Sequence, residues 1–72
     1  MEKVFIKDDF IKLGQALKLA GVVGSGVEAK EVILDGLVEV NNEICYQRGK
    51  KLVSGDVVTY NGEILVIEEY DH

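Results

Sequence analysis

Histidine and cysteine occur once each in this chain, so the usual catalytic base and the usual nucleophile are almost missing. The histidine is His72, the last residue. Chain ends are poorly held, the stretch from Tyr70 to His72 is expected to be weakly ordered, and a base there has no rigid frame. Cys45 has no histidine to activate it and lies among alternating apolar neighbours, which is the setting of a packing thiol. A lone cysteine closes no internal disulfide, and a small domain from an oxidising compartment usually carries several, so a reducing compartment is expected. His, Cys, Asp and Glu do not cluster at metal-ligand spacing. No enzyme, no metal and no cofactor are therefore expected. Long apolar runs are also missing: Leu19 to Val23 is far short of the ~20 residues of a bilayer span, and no charged-then-apolar leader opens the chain. The expectation is a soluble, cytoplasmic protein without membrane contact.

Lysine and arginine are absent after Lys51. The net charge of −5 argues at first against a nucleic-acid partner, because phosphate binding relies on Lys and Arg displacing counterions. Its distribution changes that reading. Up to Gly55 eight basic residues balance eight acidic ones, and the whole negative excess comes from Asp56, Glu63, Glu68, Glu69 and Asp71. Arg48, Lys50 and Lys51 crowd into four positions, so the local field there is positive. With 72 residues, 47% of them apolar and 29% charged, the chain fits one folded domain that buries about 60% of its unfolded surface.

Periodicity predicts an α+β fold: two short packed helices against a small, mostly antiparallel sheet of about four to five strands. Val4 to Ile6 reads as a strand. Leu13, Ala16, Leu17 and Ala20 follow the i, i+3, i+4, i+7 spacing of a buried helical face that ends near Gly21. Ser25 to Glu28 fits a capping box, Ala29, Val32 and Ile33 give a second helix its apolar stripe, and Gly36 suits its C-cap. Each helix is too short to stand alone. The period then changes to two. Leu37 to Val40, the turn Asn41 and Asn42, and Glu43 to Tyr46 form one hairpin; Gln47 to Lys51 form a basic loop; Val57 to Tyr60, Asn61-Gly62 and Glu63 to Glu68 form a second hairpin.

Gly21, Gly24 and Gly26 have the composition of a phosphate cradle, but neither nucleotide fingerprint fits and no strand feeds the loop, so no small-molecule substrate is expected. The free amides at the start of the second helix remain an anion site that a nucleic-acid phosphate suits. Lys12, Lys18 and Lys30 fall on the polar side of the helices. Singly, each of these and of Arg48, Lys50 and Lys51 reads as a solubilising charge; brought together by a compact fold, they form a groove for a phosphate backbone.

From Lys12 to Asp56 the sequence resembles the S4-like RNA-binding domain, or αL motif, and in particular its small stand-alone YaaA/YbcJ-type subfamily. The resemblance is carried by Lys12, Leu13 and Leu17; by Gly21, Ser25, Ala29 and Ile33; by Gly36, Val38, Val40 and Asn41; and by Gly55 with Asp56. The runs Ser25 to Lys30 and Arg48 to Lys51 add to it. It implies a bacterial, ribosome-associated monomer that binds structured RNA, ribosomal RNA foremost, through the two-helix face and the adjacent loop, without catalysis. The implied contacts are Lys12, Lys18, Ser25, Gly26, Lys30, Asn41, Arg48, Lys50 and Lys51. The chain departs from the family at Gly26, where many members carry Arg, at Gly14 and Gln15, where an acidic residue and Lys are common, and at Asn42, where Gly is common. A second reading makes the acidic C-terminal hairpin, with Tyr60 and Tyr70, a docking module for a basic protein partner.

Overall fold

A computed structural model describes residues 1–70, so the reading of His72 lies outside the described residues. The elements run β1 (Glu2–Ile6), β2 (Ile11–Lys12), α1 (Leu13–Leu19), α2 (Gly26–Leu34), β3 (Val38–Val40), β4 (Glu43–Ile44), β5 (Lys51–Leu52), β6 (Val57–Tyr60) and β7 (Glu63–Glu69). Five strands form one sheet in the order β1-β7-β6-β3-β4, and β2 pairs with β5 in a separate two-stranded ladder. The α+β expectation is met.

The helix limits follow from local chemistry. Ser25 Oγ accepts from the Glu28 amide at 3.1 Å and starts α2. Both helices end in the same way. Gly21 and Gly36 have φ of 76° and 74°, and the bonds Val22 N to Leu17 O and Leu37 N to Val32 O close the last turns. The two hairpin turns have positive φ at both central residues, Asn41 (52°) and Asn42 (71°), then Asn61 (51°) and Gly62 (80°), the twist that two-residue hairpins need.

Leu13, Ala16 and Leu17 of α1 and Ala29, Val32 and Ile33 of α2 are buried against the inner face of the sheet, where Val4, Val38, Val58, Leu65 and Ile67 wait. Burying each such large side chain contributes roughly 1.5–3 kcal/mol, which is how helices of seven and nine residues persist. No polar side chain is buried among the described residues.

Three features differ from the sequence reading. β1 runs parallel to β7, with Val4 opposite Ile67, so the first strand forms one edge of the sheet beside the last strand, a pairing the sequence did not indicate. Tyr70 is held as well: its amide donates to Ile6 O at 2.7 Å and the Lys7 ammonium lies 5.3 Å from its ring centroid. The first hairpin is shorter than expected, since Cys45 and Tyr46 leave the strand, although the Cys45 amide still donates to Val38 O at 3.0 Å.

Candidate nucleic-acid interface

A helix begins with amides that have no partner inside it. In α1 two of these are satisfied from far along the chain: Leu13 N donates to Lys50 O at 2.9 Å and Gly14 N to Arg48 O at 3.1 Å. The β2–β5 ladder, with Ile11 opposite Leu52 and Lys12 opposite Lys51, continues the attachment. The basic loop is thus bonded along its backbone to the start of α1. Lys51, expected in the loop, belongs to β5.

This attachment creates a groove of about 340 Å³ between α1, the start of α2 and the loop. Lys12, Lys18 and Arg48 line it together with Gln15 and Gly26, and no carboxylate does. Gly14 lets Arg48 lie close. A Cβ at position 14 would stand 2.8 Å from Arg48 Cγ. Gln15 Oε1 accepts from the Lys12 amide at 3.3 Å, which fixes the side chain at the groove wall. Among the described residues the one ion pair is Lys3 with Glu68 at 3.4 Å, so the groove cations have no acidic partner.

The other expected contacts fall elsewhere. Lys30 is exposed on α2 but does not line the groove, and Lys50 lines a different recess, beside Asn41, Cys45 and Tyr46. Lys51 stands over Phe10, its Nζ 4.7 Å from the ring centroid. Ser25 has its hydroxyl engaged as the α2 cap. Asn41 is committed to the fold: its Oδ1 accepts from Val57 N at 2.9 Å and its Nδ2 donates to Asp56 Oδ1 at 3.1 Å. Asp56 Oδ2 in turn accepts from Val53 N at 2.8 Å.

The capping box of α2 is closed differently from its usual form. The Glu28 carboxylate accepts from Gly24 N at 2.6 Å rather than from the cap residue. That places a negative charge where a phosphate was expected to approach. Cys45 is half-buried and donates weakly to Gln47 O at 3.7 Å, in keeping with packing. Tyr60 packs against the core, so the acidic hairpin presents carboxylates more than rings.

Two comparisons bear on this arrangement. The sequence matches the family model described as S4 domain over residues 4–68, from the first strand of the sheet to the last. A Bacillus subtilis (strain 168) protein described as "Probable ribosome maturation protein RlbA" is 46% identical over 59 residues, covering 82% of this chain and 83% of that protein.

Proposed function

The chain belongs to the S4 domain family, and from that premise and the groove we propose that it binds structured RNA, ribosomal RNA foremost, as a monomer acting beside the ribosome. The observation that carries the reading is the convergence of Lys12, Lys18 and Arg48 on one concave surface without a carboxylate in its lining. Unneutralised cations on a chain of net charge −5 repel one another with no gain to the fold, and an RNA phosphate relieves them. A phosphate backbone is long enough to meet all three, while Lys50 and Lys51 lie outside the groove lining. The name of the Bacillus relative, a ribosome maturation protein, favours ribosomal RNA and a cytoplasmic setting. No helix among the described residues is long and apolar enough to cross a membrane. The reading is one of binding without catalysis or cofactor.

The salt dependence of binding tests it. Each phosphate contact contributes roughly 0.7 to 0.9 to the slope of log K against log salt, so Lys12→Ala, Lys18→Ala and Arg48→Ala together should lower it by about 2 to 3. Replacing Glu63, Glu68 and Glu69 by Gln should leave the slope unchanged. A folded triple variant with the parent's slope would refute the groove as the RNA site.

A further inference from the structure

A second recess, of about 540 Å³, adjoins the groove, and Gln15 and Lys18 line both. Its walls are aromatic and aliphatic: Phe5 of β1, Phe10 before β2 and Leu19 at the end of α1. These side chains are 51%, 37% and 64% exposed, although each has the size and polarity of a core residue. Apolar surface gathered in a concave patch, rather than scattered singly, marks a place that is covered when the protein works. The surroundings are cationic. Lys7 and Lys18 line the recess, Lys51 lies over the Phe10 ring, and Asp8 is the single carboxylate in the lining. Gln15 adds a directed polar group: its Oε1 is taken by the Lys12 amide, which leaves Nε2 to donate at the wall between recess and groove.

We propose that this recess receives an unstacked base of the RNA whose phosphates occupy the groove. Aromatic rings with ammonium groups at their margin are the combination that takes up splayed bases, because every base has a π-face and carries a phosphate beside it. A protein partner's apolar side chain matches the rings but not the excess of cations. The assignment rests on the RNA reading above and adds a preference to it: the favoured RNA has a bulge or a loop nucleotide next to a helical segment.

The test compares a fully paired RNA stem with the same stem carrying one bulged 2-aminopurine nucleotide, bound by the parent and by Phe10→Ala, with melting curves to establish folding. The parent should bind the bulged stem about tenfold more tightly, with a change in 2-aminopurine fluorescence. Phe10→Ala should lose that difference while binding the paired stem as the parent does. Leu19→Gln, at a more exposed position, should do the same and serves if Phe10→Ala does not fold. Equal binding of the two stems by the parent, or an equal loss on both stems in the folded variants, overturns the base site but leaves the groove in place. An apolar side chain of a partner protein as the true occupant would appear in this way, as RNA binding indifferent to the recess. Failure of the parent to bind either stem overturns the RNA reading, and the base site with it.

Discussion

Arg48 lies across Gly14. The Gly14 amide donates to the arginine carbonyl at 3.1 Å, and Arg48 Cγ and Cδ would stand 2.8 Å and 3.4 Å from any Cβ placed there. The glycine lies in the first turn of a helix, where alanine is favoured by about 0.8–1 kcal/mol, so its presence is explained by the side chain it seats.

Gly14→Ala should therefore leave the melting temperature within a few degrees of the parent's, helix propensity offsetting the displaced stem. It should weaken RNA binding by about 1.5 kcal/mol, the scale of one charge-assisted contact. Arg48→Ala should show the same loss, and the double variant should add little to either. Additive losses in titration calorimetry would mean that Gly14 acts by another route.

Gly26→Arg should strengthen binding. Position 26 faces the groove, and a Cβ there meets nothing within 4 Å. The added charge should raise the salt slope by roughly 0.7 to 0.9. Stability should hardly change, since the gain over glycine is opposed by a cation at a helix N-terminus worth about 0.3–1 kcal/mol. A lower affinity in a filter-binding assay would contradict the location of the groove.

Asn41→Gly should destabilise the fold by about 2 kcal/mol, because it keeps the positive φ while removing the carboxamide that ties β3 to Asp56 and Val57. Asp56→Ala should cost a similar amount, and a double-mutant cycle should show strong coupling between them. Salt slopes measured on the folded fraction should match the parent's; a shallower slope for Asn41→Gly would return Asn41 to the RNA contacts.

Ser25→Ala should cost about 1 kcal/mol through loss of the α2 cap, read as a lower denaturation midpoint. A midpoint equal to the parent's would show that the Glu28 to Gly24 bond suffices to start the helix.

What could be read in advance and what could not divide along a physical line. Ser25, Gly21 and Gly36 act on their immediate neighbours, as does the positive φ of the Asn41-Asn42 turn, and both helices and the turn stand where the pattern put them. The β2–β5 ladder has two residues on each side and no periodicity of its own; it exists because helix amides needed carbonyls. The basic cluster illustrates the same limit. Arg48, Lys50 and Lys51 are close in sequence, but the turn bonded to the start of α1 and the beginning of β5 send them to the groove, a separate recess and the Phe10 ring. Lys12 and Lys18 did reach the groove, since a helix start and a helix face have fixed directions. Phe5 and Phe10 carried no site assignment in the sequence, and only the packed structure shows them open.

The bonds from Leu13 and Gly14 to the loop also fix when the groove exists during folding. Their partners lie more than thirty positions further along the chain. Contacts of such long separation form late, after the loop-closure entropy has been overcome. The helical pair cut out as a peptide would carry Lys12 and Lys18 but no Arg48 to face them. On a translating ribosome, the proposed RNA groove is complete only once Leu52 has emerged and β5 can pair with β2.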